Sequence, residues 1–182
     1  MVHQLAKRVV INILTSPTER LDGQASTATN LVALLRWRAR NQAERAAYTL
    51  VAAGEATGTH LTYGMLDRQA RAVAAHLQYL KAAGERVLLL HPPGLEYIAA
   101  YFGCLYAGAV AVPAYPPRHS RQMVRLQAIG ADAQAQLALT TDNLLDKARA
   151  LLKSEVGLGH LRCLASNSIS EELGEEWVEV EI

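Results

Sequence analysis

The 182-residue chain is 51% hydrophobic but only 5% aromatic and 19% charged, which excludes wholesale disorder and supplies apolar material for one ordinary domain or part of a larger one. Its 18 basic and 17 acidic residues leave a formal charge of +1, too small a field to hold a polyanion, so nucleic acid is not an expected partner. Cys104 and Cys163 are too few for a disulfide framework and no Asn-x-Ser/Thr sequon occurs, so a reduced, cytoplasmic chain is the expectation.

Residues 2–14, with Val2, Leu5, Val9, Ile13 and Leu14 around Lys7 and Arg8, read as a short amphipathic helix without the cleavage site of a signal peptide. The stretch from Ser16 to Thr29 is polar and aperiodic, so residues 1–29 are expected to be a leader and linker ahead of a domain at 30–182. Leu31 to Ala39 follows a Thr29/Asn30 cap as an amphipathic helix, with Leu31, Leu34, Leu35 and Trp37 inward and Arg36, Arg38 and Arg40 in solvent. Ala47 to Val51 and His60 to Tyr63 read as short strands around a Gly-containing turn. Thr62 then caps a long helix whose apolar face is Leu66, Ala70, Val73, Ala74 and Leu77.

A strand-helix alternation begins at Arg86. Arg86 to His91 is a strand too apolar for one-sided exposure, ended by Pro92-Pro93-Gly94; a helix follows over Leu95 to Tyr106 and a strand over Ala109 to Ala114. Arg121 to Ala133 (helix), Gln136 to Thr141 (strand), Asn143 to Leu152 (helix) and Arg162 to Ala165 (strand) complete the series. Strands buried on both faces and separated by single helices predict an α/β fold with a doubly wound, mainly parallel sheet. The uncharged run from Tyr97 to Val112 approaches the roughly 17–25 residues of a membrane span. Glu96, the interrupting Gly103 and Gly108, and Pro113 argue instead for a helix, a Gly turn and a buried strand, so no membrane span is expected. The acidic stretch around Glu171, Glu172, Glu175 and Glu176 reads as a solvated, partly frayed tail.

Ligands of open parallel sheets bind outside the carboxyl ends of the strands, which directs attention to His91–Gly94, Pro113–His119 and Thr140–Asn143. Only the second is rich, with Tyr115, Arg118 and His119 beside three prolines that stiffen the loop. It is either a shaped wall of a binding site or a stiff connection with a solvated Arg118, and spacing alone favours the connection. No G-x-G-x-x-G, Gly-Lys-Ser/Thr loop or G-x-S-x-G elbow is present, the six histidines lack metal-ligand spacing, and Cys104 sits in an apolar helix where a thiol is expected to be core. The residues therefore offer no catalytic group, metal site or phosphate cradle of their own.

Two strings nevertheless carry a resemblance. LTYGMLDRQARAVAAHL (Leu61 to Leu77), followed by LYAGAVAVPAYPPR (Leu105 to Arg118), resembles the first two core motifs of the adenylate-forming superfamily. The longer string from Gly84 to Arg118, with its PAYPPR ending, is most similar to the fatty acyl-AMP ligases, and the likeness runs from about Asn30 to Ile182. Met65 stands where the family often has Glu, which removes a capping-box partner of Thr62. The resemblance implies activation of a fatty acid with ATP and magnesium to an acyl-adenylate, then transfer to the phosphopantetheine thiol of an acyl carrier protein. It also implies that Tyr115 and Arg118 shape part of the substrate-binding acyl tunnel.

The family's phosphate loop, aromatic-Thr-Glu segment, ribose-binding Asp and catalytic Lys do not occur in residues 1–182 and are expected beyond Ile182. By this resemblance the chain is an N-terminal fragment, inactive and marginally soluble alone. The alternative is a freestanding noncatalytic module that binds an acyl chain or a protein partner.

Overall fold

A computed structural model of the chain describes residues 8–10, 28–51, 58–116 and 120–180. They form two compact units: one runs to Arg68 and includes Pro93–Leu95, the other comprises Gln69–Pro92 and Glu96 onward.

The described residues of the first unit form an antiparallel three-stranded sheet with one whole helix and the first turns of a second. Its strands are β1 (Arg8–Val10), β2 (Ala46–Val51) and β3 (Thr59–Thr62), in the order β1-β2-β3. β1 corrects the helical reading of residues 2–14: Val9 pairs with Leu50 and Arg8 with Val51. Arg8-Val9-Val10, whose β-branched valines also satisfy a helical count, takes the extended state when a partner edge is available. The rest of that stretch, and most of Ser16–Thr29, lies outside the described residues.

Helix α1 (Leu31–Asn41) is capped as expected, Asn30 Oδ1 accepting from the Ala33 amide at 2.8 Å. Its phase differs from expectation. Val32 and Leu35 are buried while Leu31 is 51% exposed, because a first-turn residue has no preceding turn to lie against. Arg38 is not simply solvated either: its guanidinium lies 5.5 Å from the Trp37 ring centroid and 5.7 Å from that of Tyr63.

Helix α2 (Tyr63–Tyr79) starts on Thr62, whose hydroxyl accepts from the Met65 amide at 3.2 Å, so the cap survives without a carboxylate at Met65. Along it Leu66, Ala70, Val73, Ala74 and Leu77 are all buried, the face expected from their spacing.

The second unit holds a four-stranded, all-parallel sheet: β4 (Arg86–Leu90), β5 (Val110–Ala114), β6 (Leu137–Thr140) and β7 (Arg162–Ala165), ordered β5-β4-β6-β7. Between them run α3 (Leu95–Tyr106), α4 (Ser120–Ala133) and α5 (Asp142–Ser154). Leu88 and Leu90 of β4, Ala138 of β6 and Cys163 of β7 share one core with Met123 and Leu126 of α4 and Ala148 and Leu152 of α5. Alternation sends Val87, Leu89 and Leu139 to the other face, where they are equally buried. The sheet is thus covered on both faces, the doubly wound arrangement expected.

Gly103 lets α3 approach α2: a Cβ there would stand 2.5 Å from Val73 Cγ1. Gly108, at φ +70°, makes the turn into β5.

Two expectations fail in this unit. The strand leading into PAYPPR is not buried on both faces but is one of the two edge strands of the described sheet, with Val110 50% exposed. An edge is where Pro113, which lacks a backbone N–H, fits a parallel sheet. The acidic tail is not frayed: it forms a 3-10 helix at Glu171–Glu176, and beyond it the Trp177 indole donates to Tyr106 O at 2.9 Å. The Gln78 side-chain amide pairs with both backbone groups of Val178, at 2.7 and 3.2 Å. The tail's charges pointed outward in the sequence, but its apolar residues and backbone find partners on the helices beneath.

Candidate functional site

The sheet order decides what meets at its carboxyl edge. β4 leads toward β5 on one side, and the chain then crosses back to β6 on the other, so the switch point lies between the ends of β4 and β6. Side chains fill that position. Thr140 Oγ1 donates to Leu90 O at 2.7 Å, Ser166 Oγ donates to Thr140 O at 3.3 Å, and His91 Nε2 lies 2.8 Å from Ser166 Oγ. His91, Thr140 and Ser166 are 3%, 0% and 6% exposed, so three strand ends are laced by a closed, dry ring of hydrogen bonds.

With the single Ser166 proton directed to Thr140 O, His91 Nε2 carries the imidazole proton and Nδ1 is left as an acceptor. His91 Nδ1 is buried without a partner among the described residues. Burial holds the imidazole neutral by pulling its pKa down to about 4.

Next to the ring, Asn167 and Asp142 pair twice: the Asp142 amide donates to Asn167 Oδ1 at 2.8 Å and Asn167 Nδ2 to Asp142 Oδ1 at 2.9 Å. The Asn167 bond, then that from the Asn143 amide, moves the Asp142 carboxyl below its ordinary pKa. Aromatic side chains continue from His91, whose ring meets Tyr97 edge-on at 6.4 Å, while Tyr97 lies 6.3 Å from Tyr101. Burial, and then the neighbouring Tyr101, Tyr115 and Cys104, push the Tyr97 hydroxyl upward.

A cavity of about 300 Å³ opens beside Ser166 and Asn167, with Gln69, Val73, Glu96 and Glu171 also on its walls. Its charged groups are carboxylates, the wrong sign for a triphosphate or a fatty carboxylate. Among the described residues no cluster of His, Cys, Asp or Glu could hold a metal ion. Burial raises the Cys104 thiol to about 12 and the Cys163 thiol to about 11, so neither supplies a thiolate at neutral pH.

Of the two residues singled out from the sequence, Tyr115 stands just past β5, 69% exposed and apart from the cavity walls, and Arg118 lies outside the described residues. His91, Thr140 and Ser166 were not singled out. His91 and Thr140 open two of the segments the sequence placed at strand carboxyl ends, but nothing in the sequence announces that β7 lies beside β6. No described helix is long and apolar enough to cross a membrane.

Comparison with known proteins gives a consistent picture. The family model for AMP-binding enzymes matches residues 35–180. The medium-chain-fatty-acid–[acyl-carrier-protein] ligase JamA of Moorena producens is 42% identical over 158 residues, covering 84% of this chain and 26% of JamA. The long-chain-fatty-acid–AMP ligase FadD32 of Mycolicibacterium smegmatis is 32% identical over 118 residues, covering 65% of this chain and 19% of FadD32. Among solved structures, the fatty acyl-adenylate ligase of L. pneumophila in complex with acyl adenylate and pyrophosphate superposes with a TM-score of 0.76 at 29% identity, over 90% of this chain and 28% of that one. The chain therefore spans about a quarter of the length of the relatives it matches.

Proposed function

This chain belongs to the AMP-binding enzyme family, and from that membership we propose that it is the amino-terminal segment of a fatty acyl-AMP ligase. In this reading residues 30–182 are part of an AMP-binding domain, and residues 1–29 are a leader whose strand Arg8–Val10 pairs with β2 of that part. The complete enzyme activates a fatty acid with ATP and magnesium to an acyl-adenylate and pyrophosphate, then loads the acyl group onto an acyl carrier protein in the cytoplasm. The observation that carries the reading is the 42% identity to JamA across 84% of the chain. The core-motif strings at Leu61–Leu77 and Leu105–Arg118 support it.

The residues present do not make a site for magnesium and the triphosphate. The cavity's carboxylates repel a polyphosphate, the described residues hold no cluster of metal ligands, and residues 1–182 contain no glycine-rich phosphate loop. No step of adenylation is assigned to this segment. Its contribution is architectural: a buried parallel sheet that supports the neighbouring parts of the fold, with Tyr115, just past β5, and Arg118, three residues further along the chain, shaping the acyl path.

The test is a chimera in which residues 30–182 replace the corresponding part of JamA, assayed by fatty-acid-dependent ATP–pyrophosphate exchange. Retained exchange supports the reading; a folded chimera without exchange overturns it. The 182-residue chain by itself is expected to give no exchange and no saturable binding of a medium-chain fatty acid. Saturable binding without exchange would favour the noncatalytic acyl-binding module.

A further inference from the structure

Doubly wound sheets ordinarily keep the crevice at their switch point free for a ligand, because the loops on either side leave toward opposite faces. Here that crevice is occupied from within. Leu90 O, Thr140, Ser166 and His91 close a ring of hydrogen bonds at 2.7, 3.3 and 2.8 Å that joins the ends of β4, β6 and β7. Each strand end contributes a different chemical part: a main-chain acceptor and an imidazole from β4, a hydroxyl and a carbonyl from β6, and a hydroxyl from just beyond β7.

Ser166 is the hinge of this arrangement, because the segment that follows it stays on the same unit and is fastened at successive points. Asn167 pairs with Asp142, and Trp177 and Val178 bond to Tyr106 and Gln78.

We propose that His91, Thr140 and Ser166 form a clasp that fills the sheet's ligand crevice and positions the segment Ser166–Val180, with His91 as a positioning residue and not a catalytic one. The clasp leaves the β5 end, where Tyr115 is 69% exposed, as the open part of the carboxyl edge. This inference rests on the geometry of the second unit and holds whether or not the complete protein adenylates fatty acids. It requires an imidazole or an equivalent side-chain donor at residue 91, which sets it apart from simple filling of space: a leucine there occupies similar volume but gives Ser166 nothing.

Amide hydrogen exchange of the 182-residue chain tests it. In Ser166→Ala and in His91→Leu the Leu173 and Val178 amides, which bond to Ser170 O and Gln78 Oε1, are expected to exchange about tenfold faster, the factor one lost net hydrogen bond supplies. The Leu88 and Leu139 amides in the central strands keep their protection. His91→Gln, whose amide nitrogen can reach the place of Nε2, is expected to restore slow exchange at Leu173 and Val178. Equal acceleration at all four amides, no acceleration at the tail, or a His91→Gln variant as fast as His91→Leu would each overturn the clasp. If His91→Leu does not fold, the Ser166→Ala profile decides alone, since it removes two ring bonds without touching the imidazole.

Discussion

At the ends of β4, β6 and β7 the side chains of His91, Thr140 and Ser166 are 3%, 0% and 6% exposed and bonded to one another, whereas Tyr115, one residue past β5, is 69% exposed. The two halves of one sheet edge are thus built oppositely. β4 and β6 are flanked on both sides and buried on both faces, so the polar groups at their ends bond to one another inside the protein, His91 Nδ1 being the exception among the described residues. Among the described residues β5 has one neighbour, it tolerates a proline, and Tyr115 just past its end is in solvent. Burial and hydrogen bonding are concentrated in the closed half and exposure in the open one.

Four measurements would break or sharpen that contrast. The largest effect is expected in the central strand. Leu90→Ala removes a fully buried side chain and should cost about 3 to 4 kcal/mol in urea unfolding, against less than about 1 kcal/mol for Val110→Ala on the half-exposed edge. Equal costs would mean that β5 is as deeply committed as β4.

The second measurement concerns pH. The His91 pKa falls from 6.5 when unfolded to about 4 in the folded chain, so between those values the unfolded state binds more protons and stability rises with pH. The contribution is fully present above pH 6.5 and is lost as pH falls toward 4, for a total of about 3 kcal/mol. Unfolding curves between pH 7 and 4 should show this slope, and His91→Gln should reduce it. An unchanged slope in the variant would place the titrating group elsewhere.

The third effect is smaller. Trp177→Ala removes a half-buried indole that packs 5.1 Å from the Tyr106 ring and donates to its carbonyl, and is expected to cost about 2 kcal/mol. A neutral outcome would return the tail to the frayed state its composition suggested. The smallest effect is at the open end, where Tyr115→Ala should change stability by no more than about 0.5 kcal/mol. In the JamA chimera the same change is expected to alter the rate or chain-length preference of exchange, and unchanged kinetics would remove Tyr115 from the acyl path.

The regular elements of the second unit were legible in the sequence because each carried its own period. Leu95–Tyr106 and Arg162–Ala165 form where spacing placed them, and the other elements from Arg86 onward shift by no more than two residues at an end. The strand Arg8–Val10 was not legible, because a β-branched run of mixed polarity satisfies a helical count until a partner edge is known. Nor was the fastening of the acidic tail, whose glutamates conceal that Trp177 and the Val178 backbone have partners about 70 to 100 positions earlier.

The candidate site divides in the same way. PAYPPR stood out because prolines, an aromatic and a guanidinium are conspicuous in a row, yet that row ends an exposed edge strand. His91, Thr140 and Ser166 are individually ordinary residues, 26 or more positions apart, and became a site only when β7 fell beside β6 and β6 beside β4.

The sequence alone determined that buried strands alternate with amphipathic helices, that no phosphate cradle lies within these residues, and that two core strings resemble adenylate-forming enzymes. Those properties are local: periodicity, composition and motif are written within a few turns of chain. Tertiary structure decided strand order, and with it which strand is an edge, which polar side chains are sealed at the switch point, and where the tail is anchored. Strand order depends on contacts between residues far apart in sequence, each favourable only once the others have formed, so no local pattern announces it.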